Sequence, residues 1–314
     1  MDIQNIAFVF PGQGAQYVGM AKEFYDIPKY RIYFDIANEK LGYDLKNIMF
    51  EGPMAELKKT HNTQPAILLH SILAYKYFKK KCDIKPKFVA GHSLGEFSAL
   101  VVADVLDWED ALYLVHKRGK FMIEASKDVP FKMAAIIGLN KDIIVEICDN
   151  ISGTVIAANF NTPIQTVISG EDKAVSKAME KCKDAGARRV VELIVGGAFH
   201  SPLIAKSAEW LNAEMNKISF KTAKIPVISN FKAKPETEQK EIMENLTQQI
   251  KSPVRWVESV EYMIKNRVDT FVEFGPGKIA SGMIKAIDRN TNRYNVDKME
   301  DVDKVLDGME RELQ

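Results

Sequence analysis

The chain of 314 residues has little that would staple it covalently or anchor it to a surface. Cysteine occurs only at Cys82, Cys148 and Cys182, without a CxxC pair, so neither a disulfide framework nor a zinc site is indicated and the thiols read as free in a reducing compartment. No apolar run reaches the ~18 residues of a membrane helix, and the uncharged stretch 193–205 is broken by Gly196, Gly197, His200, Ser201 and Pro202. Asp2, with no Lys or Arg, precedes Ile6-Ala-Phe-Val-Phe10, which reads as a strand and not as the core of a signal peptide, so a cytoplasmic location is expected. An excess of one charge is also missing. Lys plus Arg number 43 and Asp plus Glu 42, which removes any bulk attraction for nucleic acid or anionic membrane. Nucleotide signatures are absent as well: Gly12-x-Gly14 is followed by Tyr17 where a dinucleotide fingerprint needs its third glycine, and no Walker lysine pattern occurs.

What remains is an ordinary globular composition, 46% hydrophobic and 27% charged, of a length that suggests about two domains or one with an insertion. Short apolar runs at Ile6 to Phe10, Phe88 to Gly91, Val227 to Ser229 and Thr270 to Phe274 read as strands buried on both faces of a parallel sheet. Helical patterns fill the gaps, among them Gln64 to Lys80, Gly95 to Val105 and Trp108 to Ala125, the last with Asp107 as its expected N-cap. The class is α/β. The middle of the chain reads strand, helix, two strands, helix, strand between Met133 and Val195, with Asn161-Thr-Pro163 as the central turn; this is the ferredoxin-like order. A small domain at 128–197 is therefore expected within a larger one made of 1–127 and 198–314. The charged tail after about 290 shows a weak helical pattern and no assignable role.

Gly91-His-Ser-Leu-Gly95 follows a strand and opens a helix, the context in which a GxSxG turn exposes a nucleophilic serine. The glycines permit the sharp turn, Ser93 Oγ is left exposed, and the NH of Leu94 lies at a helix N-terminus suited to an oxyanion. A plain helix cap is the alternative reading of Ser93. Of the five histidines, His200 is the best base, since Gly196-Gly-Ala-Phe-His-Ser-Pro202 is a loop able to point it into a cleft; His70 and His116 fall within helical patterns, and His92 is expected to point away from Ser93 in a supporting role. Arg118 interrupts the apolar stripe Ala111, Val115, Met122, Ala125, so its guanidinium requires an anion, either a structural carboxylate or that of a ligand. Gly275-Pro-Gly277 reads as a tight turn.

Phe8-Val-Phe-Pro-Gly-Gln-Gly14, Gly91-His-Ser-Leu-Gly-Glu96, Arg118-Gly-Lys-Phe-Met122, Ala198-Phe-His200, Gln249-Ile-Lys-Ser-Pro-Val-Arg-Trp256 and Phe274-Gly-Pro-Gly277, in order across about residues 6 to 284, resemble the malonyl-CoA:acyl-carrier-protein transacylases of fatty-acid synthesis. The resemblance implies an α/β-hydrolase-like core with a ferredoxin-like insertion. It implies Ser93 as nucleophile and His200 as base, with oxyanion-hole NH groups from Gln13 and Leu94. Arg118 would hold the malonyl carboxylate, and the backbone carbonyl of Gln249 would orient the imidazole, giving a Ser-His dyad. Met122, His92, Phe199 and Asn161 fall at substrate-binding positions, and Phe199 matches the malonyl-selective pattern. Ala15 and Gly196-Gly197 depart from the family pattern at positions that bear on the entrance. The implied reaction is ping-pong transfer from malonyl-CoA to the phosphopantetheine thiol of acyl carrier protein, without metal or redox cofactor, by a monomer. Exposed lysines would steer the acidic carrier. A polyketide-serving acyltransferase, an acyl-releasing hydrolase and a non-catalytic acyl-CoA-binding protein are the competing readings.

Overall fold

The computed structural model describes residues 5–312 of the chain. Its strands are β1 (Ile6–Phe10), β2 (Phe88–Gly91), β3 (Phe131–Ile137), β4 (Val155–Thr162), β5 (Gln165–Glu171), β6 (Arg189–Leu193), β7 (Val227–Ile228), β8 (Pro235–Glu236), β9 (Thr270–Phe274) and β10 (Asn292–Val296). They form a six-stranded sheet of order β10-β9-β1-β2-β7-β8 and a four-stranded sheet of order β4-β5-β3-β6. The first is parallel except for β8. The second is antiparallel throughout.

Helices on both faces explain why β1 is apolar without alternation. Ile6, Phe8 and Phe10 pack on one side with Val272 and Phe274, while Ala7 and Val9 pack on the other with Phe271. The first side carries helices Thr60–Lys81, Gly95–Val102 and Trp108–Glu124, and an edge-to-face aromatic cluster in which the Phe8 and Phe274 centroids are 4.9 Å apart. Helices Trp256–Lys265 and Ile279–Ile287 cover the second side through Val260, Met263 and Ile284. In the antiparallel sheet the two-residue period divides β3 cleanly. Ala134 and Ile136 face helices Lys141–Asp149 and Asp172–Asp184, whereas Met133 and Ala135 face the main core with Val167. That second face forms one wall of the cleft described below.

Several local expectations are revised. The helix expected from Gln64 starts at Thr60 and contains Pro65. Proline cannot donate to the carbonyl four residues back, and that carbonyl, of His61, instead accepts from His116 Nδ1 at 2.9 Å and lies 3.4 Å from Tyr43 Oη. Asp107 makes no side-chain cap and pairs with Lys221 at 3.1 Å. Asn161 belongs to β4, not to the turn. The helix after Gly95 ends at Val102, beyond which Asp104 takes φ 65°. The charged tail is integral: β10 pairs with β9, and helix Met299–Glu312 buries Val302, Val305 and Met309. Among the described residues no helix is long and apolar enough to cross a membrane.

Candidate active site

Parallel strands place their carboxyl ends along one edge, and loops leaving that edge are where such sheets bind ligands. The turn after β1 carries Gln13, the turn after β2 carries Ser93, and Asn230 follows β7. Between β2 and helix Gly95–Val102 the glycines are required by close approach: a Cβ on Gly91 would lie 1.9 Å from the Gly95 carbonyl carbon, and one on Gly95 would lie 2.4 Å from Phe10 O. The turn forces Ser93 to φ 53°, a left-handed conformation that costs a non-glycine residue about 1–2 kcal/mol.

His200, from the loop after β6, is likewise left-handed at φ 58° and is 4% exposed. Its Nε2 lies 2.8 Å from Ser93 Oγ and its Nδ1 2.8 Å from the Gln249 carbonyl. Since that carbonyl can only accept, the proton sits on Nδ1 and the Nε2 lone pair faces the serine hydroxyl. Burial and the nearby Arg118 charge push the imidazole down to about 3, so it is neutral over the physiological range.

Arg118 projects from helix Trp108–Glu124 and is 1% exposed. Nη1 donates to Gln64 Oε1 at 2.9 Å, and Nη2 donates to Gln249 Oε1 and to Ser93 Oγ, each at 2.9 Å. All three acceptors are neutral, and Nε has no hydrogen-bond partner among the described residues. Burial pulls the guanidinium down to about 10, and the carboxylate that opposes this is that of Glu96. Arg118 is a buried cation whose direct partners carry no negative charge.

These groups line a cavity of about 190 Å³ together with Gln13, Gln64, His92, Leu94, Met122, Asn161 and Phe199. Met133, Val167, Leu193 and Val195 from the antiparallel sheet and its exit supply an apolar wall. His92 Nε2 meets Asn161 Oδ1 at 2.9 Å, linking the two sheets across the cleft. Gln13 is exposed at the mouth, where its Nε2 lies 3.4 Å from Thr60 Oγ1. Gln249 contributes through its carbonyl and its side chain from behind Arg118, not from the cavity wall. His70 and His116 lie elsewhere, bonded to the Asp297 and His61 carbonyls. Residues that sequence reasoning passed over are Gln64, Glu96 and Asn230. Each side chain is almost fully buried, and only Glu96, in the otherwise apolar helix Gly95–Val102, stands out in the sequence, without showing its partners.

A neutral imidazole against a serine hydroxyl at a strand-turn-helix, opening on a pocket with a buried cation, is an arrangement of α/β proteins that handle acyl groups, transferases and hydrolases alike. The chain belongs to the acyl transferase domain family, whose model matches residues 7–305, and within it to the malonyl CoA-acyl carrier protein transacylases. The malonyl CoA-acyl carrier protein transacylase of Bacillus subtilis (strain 168) is 42% identical over 314 residues, covering 99% of both chains. The solved structure of the enzyme of that name from Coxiella burnetii superimposes with a TM-score of 0.93 at 38% identity, over 96% of both chains. A malonyl-transacylase solved in complex with a type II PKS acyl-carrier protein gives 0.93 at 37% identity, over 97% of this chain and 100% of that one.

Proposed function

We propose that this chain transfers the malonyl group from malonyl-CoA to the phosphopantetheine thiol of an acyl carrier protein, for fatty-acid synthesis, by a ping-pong route through a malonyl ester of Ser93. The observation that carries this reading is Arg118, desolvated, bonded only to neutral acceptors, and 2.9 Å from Ser93 Oγ. A donor whose acyl group ends in a carboxylate supplies the missing charge and can be held by two of the guanidinium nitrogens.

In this reading Ser93 Oγ attacks the thioester carbonyl while His200 Nε2 takes its proton, and the oxyanion is met by the NH groups of Leu94 and Gln13. The tetrahedral adduct collapses, the C–S bond breaks, and CoA leaves with the proton from His200. The carrier thiol then gives its proton to His200, attacks the seryl ester, and regenerates Ser93. A thioester is already activated, so a dyad whose imidazole is oriented by a backbone carbonyl suffices without metal or redox cofactor. The cavity has room for a short acyl unit, with Met122, Phe199, His92 and Asn161 around it. Residues 1–127 and 198–314 form the α/β-hydrolase-like catalytic domain and 128–197 the ferredoxin-like insertion, a division supported by the order β4-β5-β3-β6. The enzyme acts in the cytoplasm.

Arg118→Ala tests this reading. A malonyl carboxylate left buried and unpaired costs ~3–5 kcal/mol, or roughly two to four orders of magnitude in kcat/KM. Acetyl-CoA has no such carboxylate and its transfer falls little or rises. An unchanged malonyl-to-acetyl ratio in a folded Arg118→Ala protein would show that Arg118 is structural and that the carboxylate is not what selects the donor.

A further inference from the structure

Behind the turn that carries Ser93 lie two fully buried polar residues that the reaction scheme does not use, Glu96 and Asn230. Glu96 sits in the first turn of helix Gly95–Val102, a segment otherwise apolar but for Ser98. One of its oxygens, Oε2, accepts both the Asn230 backbone NH at 2.9 Å and Gln249 Nε2 at 3.0 Å, while Oε1 has no hydrogen-bond partner among the described residues. The two groups so fixed reach opposite parts of the site. Asn230 Oδ1 accepts from Ser93 N at 2.6 Å, and its Nδ2 donates to Gly91 O at 2.7 Å, so this side chain clasps both ends of the strained turn. Gln249 Nε2 also donates to Ser93 O at 3.0 Å, and its Oε1 accepts from Arg118. A primary amide can flip, but an acceptor-only oxygen beside Nε2 admits one orientation, the one that offers Oε1 to Arg118.

We propose that Glu96 and Asn230 are positioning residues: the Oε2 oxygen of Glu96 holds Asn230 and Gln249 so that the first clasps the nucleophile turn and the second keeps the arginine in register with it. This rests on the assignment of Ser93 and Arg118 made above. What Glu96 supplies to Asn230 and Gln249 is the place of an oxygen, not its charge. Burial lifts its carboxyl to about 7, and a proton on the partnerless Oε1 leaves Oε2 free to accept.

The test uses a fluorophosphonate, which Ser93 Oγ attacks with loss of fluoride and transfer of its proton to His200, so that the rate of the mass increase reads the geometry of the turn whatever the natural donor is. Glu96→Gln keeps an oxygen in place and removes the charge, and is expected to react within about threefold of the parent. Glu96→Asp keeps the charge but withdraws the oxygen by about one C–C bond, and is expected to react at least about tenfold more slowly, with a comparable loss in the malonyl-to-acetyl ratio as Gln249 releases Arg118. Asn230→Ala removes the clasp alone and is expected to show the same loss of rate, with little added in the double variant. The reverse order, Glu96→Asp fast and Glu96→Gln slow, overturns the proposal, as does a normal rate in Asn230→Ala even where Glu96→Asp does not fold. If the parent reacts with the fluorophosphonate but accepts no malonyl group, the donor assignment fails while the probe rates still decide the positioning role.

Discussion

At the scale of single residues, the pairing of His200 with Arg118 sets how the site responds to pH. Burial and the Arg118 charge together hold His200 near 3, against 6.5 for a free imidazole. The sign is that of a weakened base: the imidazole is neutral above pH 4 or so, and in the proposed reaction the imidazolium formed during attack would be disfavoured by the neighbouring cation. A donor carboxylate on Arg118 would cancel that repulsion and strengthen the base only when the matching substrate is bound. Removing the guanidinium raises the His200 pKa, so the acid limb of kcat/KM for acetyl-CoA should move to higher pH in Arg118→Ala than in the parent. Profiles of both proteins from pH 4.5 to 8 check this: the parent should be flat down to pH 4.5, and a parent limb centred near 6.5 would contradict it. Ser93, His200 and Arg118 were legible in the sequence because each breaks a pattern: a serine between turn glycines, a histidine in a Gly-Pro loop, a cation in an apolar stripe. Glu96 and Asn230 were not, since their meaning lies in partners more than 130 residues away along the chain.

The strand-turn-helix between β2 and helix Gly95–Val102 is the element that carries Ser93, the proposed nucleophile. Its glycines are demanded by backbone atoms that cannot yield, so Gly91→Ala is expected to destabilise the fold by about 3 kcal/mol or more. Gly282, exposed within helix Ile279–Ile287 with open space where a Cβ would sit, provides the contrast: Gly282→Ala should stabilise by about 0.5–1 kcal/mol. Urea denaturation of the two variants reads both effects, and similar midpoints would contradict the close-approach account. Strands β1, β2, β7 and β9 could be read because burial on both faces leaves an unbroken apolar run, and the helices named from the sequence because burial on one face leaves a period. The N-terminal extension of helix Thr60–Lys81 past Pro65 could not, because it depends on His116 and Tyr43 taking up the freed carbonyl. Strand β10 was equally hidden: Asn292-Arg-Tyr-Asn-Val296 is mostly polar, and it is ordered by the edge of β9 and by the helix that follows.

For the whole molecule, the buried titratable groups divide into two sets with opposite effects. All five histidines are held below 6.5, chiefly by burial, so as the pH falls the unfolded chain takes up protons that the folded one refuses. Glu96 and Glu273 are raised to about 7 and Glu236 to about 9, so the folded protein keeps protons that the unfolded chain releases above 4.5. Above about 6.5 the histidines of the unfolded chain are neutral as well, so the raised glutamates dominate and stability falls as the pH rises. Thermal melting should therefore be lower at pH 9 than at pH 6.5, and a midpoint that rises steadily to pH 9 would contradict this balance. The cleft between the two sheets is where these scales meet, for it presents Ser93, His200 and Arg118 to one small space. The most direct test of the account is the intact mass of the parent and of Ser93→Ala after mixing with malonyl-CoA, then with holo acyl carrier protein. The account predicts one malonyl adduct on the parent, stable in buffer and lost to the carrier, and none on Ser93→Ala. An adduct that persists in Ser93→Ala, or one that hydrolyses in water before carrier is added, would contradict it.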